Sequence, residues 1–173
     1  MYNRGQAQDY DNWAAMGNGG WGYADVLPYF QRTEAYGGGE DAYRGRDGSL
    51  VVSDMSWKHP ICEQFIAGAH ALGMPANPDY NGRSQAGAGY FQRSIDGRWR
   101  MSSSRGFLRE ARQRTNLTII TRAQATSVMF EGRRAVGVRY ILGGQVQTPR
   151  QVRARCEVIL SCGAANTPKL LQL

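Results

Sequence analysis

The residues best placed to do chemistry lie near the C-terminal end. There the apolar run Glu157-Val158-Ile159-Leu160-Ser161 leads into Cys162-Gly163-Ala164-Ala165 and then Asn166-Thr167-Pro168. A buried strand, a turn of small residues and a helix start in that order can bind an anion. Free backbone N–H groups and the positive end of the helix dipole converge where a glycine lets a ligand approach. Such a site suits a dinucleotide pyrophosphate, although any junction of strand and helix carries similar punctuation. Other candidates are poorer. His59 and His70 are eleven residues apart and so not neighbours at i, i+4 on a helix face, and neither forms a cluster with cysteine at zinc-ligand spacing, so no metal site is expected. Cys62, Cys156 and Cys162 cannot all pair within the chain and form no CxxC, which fits a reducing, cytoplasmic setting. Ser102-Ser103-Ser104 has no nearby histidine and reads as helix capping. No GxGxxG follows a strand, no GxxxxGK[ST] occurs, and Gly37-Gly38-Gly39 lacks the flanking strand that a phosphate cradle needs.

The elements that must position these residues change character along the chain. Asp9–Met16 and a second segment with Asp25 as N-cap and Pro28 in the first turn read as short helices, with Val26, Tyr29 and Phe30 as a buried stripe. Ala35–Ser49 is Gly-rich and acidic and reads as a surface loop before a short strand at Leu50–Ser53. The spacing predicts a helix over His59–Leu72, with Pro60 at its first position, Ile61, Phe65, Ile66, Ala69 and Leu72 on one face, and Gly73 ending it. Gly87–Ser94 reads as a strand turning at Asp96-Gly97, and Ser102–Arg114 as a helix capped by Ser103 or Ser104.

From residue 116 onward, β-branched residues in Leu117–Thr121, Thr126–Glu131, Ala135–Leu142 and Gln145–Ala154, split by Glu131-Gly132 and Gly143-Gly144, predict a β-meander. It leads into Glu157–Ser161, whose apolar run suits a strand covered on both faces. Asn166-Thr167-Pro168 then reads as cap and first position of a helix still unfinished at Leu173. No second parallel strand is evident for Glu157–Ser161 to pair with, so the rest of its sheet is expected outside these 173 residues. The expectation is thus an internal, truncated segment: residues 1–115 mostly helix and loop with short strands, and 116–173 a meander, a Rossmann-type strand and an incomplete helix.

Composition excludes some classes. Hydrophobic residues at 42% and charged residues at 20% argue against wholesale disorder. The net charge of +7 could mark a stand-alone basic module for an anionic partner. Apart from Arg98/Arg100, Arg133/Arg134 and Arg153/Arg155 the arginines are scattered, however, and Lys58 and Lys169 are the only lysines. That usage fits a GC-rich genome better than a nucleic-acid surface. No signal peptide and no apolar run of membrane-spanning length is present.

Many short stretches, in order, carry a more specific signal. Tyr2, Arg4-Gly5, Asp9-Tyr10-Asp11-Asn12-Trp13-Ala14, Gly20-Trp21-Gly22-Tyr23 and Asp25–Phe30 open the series. Asn81-Gly82, Gln85, Gly87, Gly89-Tyr90 and Gln92 follow, then Gly97-Arg98, Ser102-Ser103 and Phe107-Leu108. Asn116-Leu117-Thr118, Ala135–Val138 and Glu157–Ser161 with Gly163, Pro168 and Leu170-Leu171 complete it. Across the whole chain this resembles the glucose-methanol-choline (GMC) flavin oxidoreductases, choline dehydrogenases in particular.

The resemblance implies a mixed α/β fold, in which a partial FAD-binding Rossmann-like domain is interleaved with part of an antiparallel substrate domain. It implies FAD as cofactor and oxidation of a small primary alcohol to the aldehyde, a histidine taking the hydroxyl proton and the flavin a hydride. It leaves the electron acceptor open, as well as membrane association of the complete protein. It places the glycine-rich FAD fingerprint before Met1 and the catalytic residues beyond Leu173, so no catalytic residue is expected here and the chain alone is expected to be inactive. The cofactor-binding positions it implies are Ala125, whose backbone would meet the adenine, Cys162-Gly163 at the turn approaching FAD, and, less strongly, Tyr2 and Arg4 just past the flavin-facing segment. Asn3, usually apolar in relatives, departs from the pattern at that edge.

Overall fold

In the computed structural model, which describes residues 1–143 and 148–172, the chain is a mixture of short helices and small sheets. It divides into two compact units, Met1–Arg114 and Thr115–Leu173.

The first unit opens with helices α1 (Ala7–Ala15) and α2 (Tyr23–Thr33), joined through the glycines at 17–20. Each is started by an aspartate three residues into the element. The Asp9 carboxylate accepts the Gln6 N–H (2.8 Å) and the Asp25 carboxylate accepts the Gly22 N–H (3.1 Å). Asp25 is therefore not the N-cap that the sequence suggests. The Gly22 carbonyl already accepts the N–H groups of Asp25 and Val26, so the helix begins a turn earlier and Pro28 lies inside it. An aromatic cluster ties the two helices, with the Tyr10 ring 5.7 Å from Phe30 and 6.2 Å from Tyr23. Tyr29, expected in the buried stripe, is 60% exposed.

The segment expected as a surface loop is irregular and largely exposed from residue 37 to 49, but Tyr36, Arg44 and Gly45 within it are buried. Strand β1 (Glu34–Tyr36) pairs in parallel with β2 (Leu50–Val52), and the connection between them folds back against α2. Arg46 staples that connection by donating to the carbonyls of Tyr36, Gly38 and Gly39. Gly45 is buried so closely that a Cβ there would lie 1.7 Å from the Gln31 carbonyl oxygen. Composition misleads only at Arg44, which is turned inward onto Glu34 and Asp79 while Glu40, Asp41, Arg46 and Asp47 stay exposed.

Helix α3 (Pro60–Ala71) matches expectation closely, with His59 as N-cap accepting the Ile61 N–H at 3.2 Å. Its apolar face is largely uncovered: Phe65 is 80% and Leu72 89% exposed. Gly87–Ser94 is not a regular strand. Single bridges join Ala88 to Ala76 and Arg93 to Ser53, and Gly89 approaches the Asn77 backbone too closely to admit a side chain. The strands in this region are β3 (Ile95–Asp96) and β4 (Trp99–Arg100), which meet across Gly97. A π-helical turn (Ser104–Leu108) and α4 (Arg109–Ala111) follow. Ser102 caps them, its Oγ accepting the Arg105 N–H at 3.3 Å, because Ser103 already has helical backbone angles.

The second unit is a three-stranded antiparallel sheet, β5 (Ala123–Glu131), β6 (Arg134–Leu142) and β7 (Arg150–Arg153), with α5 (Gly163–Leu171) lying against β5. Val136 and Leu170 are its buried apolar residues. The expected meander is present, but Leu117–Thr121 forms no strand among the described residues, and residues 144–147 of the last expected strand lie outside the described residues. Glu157–Ser161 is also not the buried strand its composition suggests. No neighbouring strand pairs with it among the described residues, and Ile159 is 77% exposed. Leu173, where the helix was expected to be unfinished, lies outside the described residues too.

Candidate functional site

Helix α5 starts one turn before the expected Asn166-Thr167-Pro168 cap. Cys162 is its N-cap residue, and the Cys162 N–H donates to Thr167 Oγ1 at 3.0 Å, so the threonine reaches back to steady the first turn. Gly163, the first helical residue, has φ +86. No atom lies near where its Cβ would be, so it is the left-handed backbone and not space that calls for glycine there. The remaining first-turn N–H groups have no helical acceptor, and no acidic side chain occupies that turn. The end is electropositive.

Strand β5 supplies the opposite wall. Ala125 pairs with Tyr140 and Ser127 with Arg139, which leaves Thr126 as an extra residue bulged out of the ladder. Bulges bend a strand and re-aim its side chains. Just before the strand, Arg122 has φ +54, rare for a residue with a side chain, and its carbonyl accepts the Gly143 N–H at 2.8 Å. Between the bulge and α5 lies a cavity of about 470 Å³ lined by Gln124, Ala125, Thr126, Cys162, Asn166, Lys169 and Leu170. It offers an apolar patch at Ala125 and Leu170, a cation at Lys169 and the open end of a helix. That is the donor set for a flat heteroaromatic ring attached to an anionic group.

Of the residues expected to bind a cofactor, the structure thus brings Ala125 and Cys162 to one cavity, with Gly163 beside it. Tyr2 and Arg4 belong to the first unit. There Arg4 is 6% exposed and spent on internal contacts: Nη2 pairs with Glu34 Oε1 (2.6 Å), Nη1 donates to the Tyr43 carbonyl (2.6 Å), and the guanidinium stacks over Phe30 (5.1 Å). Arg44 approaches the same carboxylate through Nε at 2.8 Å and Nη2 at 3.2 Å, and also pairs with Asp79. The Gly45 N–H donates to Glu34 Oε1 at 2.9 Å. Two arginines, a glutamate and an aspartate therefore form a charge-balanced buried network. The sequence reading missed Glu34 and Arg44 because both fall in or beside a stretch that looks like solvated loop.

Burial alone would raise the Glu34 carboxyl. The Arg44 and Gly45 hydrogen bonds and the Arg4 and Arg44 charges outweigh it and hold the group below the ordinary carboxylate value. Burial, then the neighbouring Glu34 charge, raises the Tyr2 phenol, and burial with the Asp54 hydrogen bond pushes Tyr36 up to about 12. Because the folded Glu34 value is depressed, its contribution to stability is complete above the unfolded carboxyl's 4.5 and is lost as the pH falls through the lower folded value. Urea midpoints of the first unit should therefore drop as the pH is taken below that range. The Glu34→Gln variant, weaker at neutral pH, should show a flatter profile. Parallel profiles would contradict this.

A sequence model of the family described as GMC oxidoreductase matches residues 1–173, the whole chain. The chain belongs to the GMC oxidoreductase family. It is 39% identical over 173 residues to an oxygen-dependent choline dehydrogenase of Brucella anthropi and 40% identical over 176 residues to one of Photobacterium profundum. In both comparisons all of this chain is covered, but only 31% and 30% of the relative, so it spans about a third of their length. Among solved structures, an FAD-dependent oxidoreductase from Chaetomium thermophilum superposes with a TM-score of 0.89 at 30% identity, over 99% of this chain and 32% of that one. Pyridoxine 4-oxidase from Mesorbium loti gives 0.87 at 28% identity, over 98% and 33%.

Proposed function

We propose that this chain is an internal segment of an FAD-dependent oxidoreductase that oxidises a small primary alcohol of the choline kind to its aldehyde. Its part is to hold the cofactor. The observation that carries the reading is the meeting of Ala125 and Cys162 in one cavity at the positive end of α5. The Ala125 backbone and the small side chains around it would take the adenine. The Cys162-Gly163 turn and the first-turn N–H groups of α5 would face the anionic part of the dinucleotide. Bound FAD would supply the hydride acceptor.

Neither histidine is assigned to proton transfer. His59 caps α3, and His70 Nδ1 sits 3.0 Å from the Met74 carbonyl oxygen. The proton-accepting residue is assigned to sequence beyond Leu173. The exposed side chain of Ile159, and the apolar runs at 117–121 and 157–161 that form no strand among the described residues, support a larger sheet in the complete protein. Among the described residues no helix is long and apolar enough to cross a membrane.

The test compares two proteins. FAD mixed with the purified 173-residue chain should separate from it on gel filtration, and choline with a redox dye should give no turnover. The complete protein should carry flavin and reduce the dye with choline. An isolated chain that keeps a full yellow complement, or a complete protein without flavin, would contradict the reading.

A further inference from the structure

Among the described residues, none of helix α3 is buried. Ile61, Phe65, Gly68 and Leu72 recur at i, i+4, i+7 and i+11 and so share one helix face. The three apolar side chains on that face are 65%, 80% and 89% exposed. Gly68 lies between them, and a Cβ there would meet no atom within 4 Å. No described residue therefore requires a glycine in mid-helix, where it is less favourable than alanine. A neighbour packed from outside supplies the reason, because the missing side chain leaves a notch between Phe65 and Leu72 for another element's ridge. Beside the face, residues of α3 and of 87–93 form an open apolar groove of about 860 Å³ that Met55, Met74, Tyr80 and Phe91 also line. Arg93 is the one charged residue lining it among those described.

The dimensions and charge of α3 narrow what covers it. At 12 residues it is too short to cross a membrane, and Pro60–Leu72 contains no lysine or arginine to hold it on an anionic surface. The uncovered face runs about 16 Å along the helix axis, and Leu72 stands outside the groove, so a small molecule in the groove would leave the face unfinished. The chain spans about a third of the length of its curated relatives, which leaves about twice as much chain to pack against this unit. We propose that the face of α3 bearing Ile61, Phe65, Gly68 and Leu72, with the groove beside it, is the seat of an apolar segment of the complete protein's own chain from outside these 173 residues. This rests on the functional reading above in one respect, that the chain is an internal segment of a longer protein.

The experiment uses the complete protein. Gly68→Ala should lower its melting temperature, because the added methyl group meets the seated segment. On an uncovered helix the same change favours the helix, so an unchanged or raised melting temperature overturns the proposal. Cys62 lines the groove and is exposed in this chain. In native complete protein it should react with a polar maleimide roughly tenfold more slowly than in urea, read by peptide mapping, since a covered thiol labels only through local opening. Equal rates overturn the proposal. A photoreactive benzophenone amino acid in place of Phe65 should cross-link, in monomeric protein, to a peptide outside the 173 residues. Cross-links to a second copy, or Cys62 protection that vanishes on dilution to monomer, make the face a subunit interface and overturn the proposal. If the benzophenone variant fails to fold, Gly68→Ala and Cys62 labelling decide. Flavin content of the same preparations separates the two readings. Flavin-replete protein with the contrary results overturns this proposal alone, and flavin-free protein with the expected ones overturns only the assignment of the cofactor.

Discussion

Glu34→Ala is expected to unfold the Met1–Arg114 unit or leave it with little residual stability. The carboxylate is fully buried, pairs with the Arg4 guanidinium and accepts from Arg44 and the Gly45 N–H. Removing it leaves two guanidinium groups in the interior with only Asp79 to balance them. Breaking a buried ion pair by deleting one partner costs about 3–5 kcal/mol, against a total stability of about 5–15 kcal/mol for a typical domain. The connection between β1 and β2 would also lose its anchor at Gly45, which packs against the Gln31 carbonyl with no room to move inward. Urea unfolding followed by tryptophan fluorescence reads the effect directly, since Trp13, Trp21, Trp57 and Trp99 all lie in this unit.

The cost comes from uncompensated charge, which the paired replacement distinguishes from lost packing. Replacing Glu34 and Arg44 together by leucine and methionine removes one charge of each sign and should destabilise less than Glu34→Ala alone. If the double variant is the weaker one, the network contributes chiefly through the geometry of its hydrogen bonds.

Where the fold was legible in the sequence, local physics decided it. Pro60 and Gly73 bracket α3 because a proline is tolerated at a helix start and a glycine takes the left-handed turn that ends it, here at φ +89. The β5–β6 hairpin declares itself through β-branched residues around Glu131-Gly132, with Gly132 at φ +58. The buried part of the Ala35–Ser49 region, Tyr36 with Arg44 and Gly45, was illegible for the opposite reason. Its structure comes from contacts distant in sequence, Glu34 with Arg4 and Arg44 with Asp79, and polar residues that satisfy one another in the interior have the composition of a solvated loop. Glu157–Ser161 was legible as a strand by composition, but a strand needs a partner, and no periodicity within the segment reveals whether one is present.

The candidate site divides the same way. Gly163 and the start of α5 could be located from the succession of apolar run, small turn and helix former, although the helix begins earlier than its cap residues suggest, because Thr167 acts backward on Cys162. Ala125 could not be located from its own chemistry. An alanine in a strand carries no functional signal, and only the Thr126 bulge and the facing helix make it part of a cavity. Arg4 shows the converse, a residue whose charge suggests a ligand contact and whose structure shows it spent on an internal one.

In the complete protein, Gly163→Val is expected to abolish flavin retention through purification, while Cys162→Ala should leave it nearly unchanged. At φ +86 a β-branched residue is held in a region that costs of order 1–3 kcal/mol for a residue with a side chain. The cheapest relief is to rotate the Cys162–Gly163 peptide, which carries the Gly163 N–H that the proposed site uses and lies next to the peptide whose Cys162 N–H donates to Thr167. That rotation would turn the Gly163 N–H away from the proposed anion position. Cys162, by contrast, contributes backbone and a small exposed side chain, so alanine preserves what the site needs. Flavin-to-protein absorbance ratios after gel filtration give the comparison, and the melting temperature of each apoprotein separates lost binding from lost folding. Gly163→Val protein that keeps a full flavin complement would remove the α5 N-terminus from the binding site, and flavin loss in Cys162→Ala would assign the thiol itself a contact.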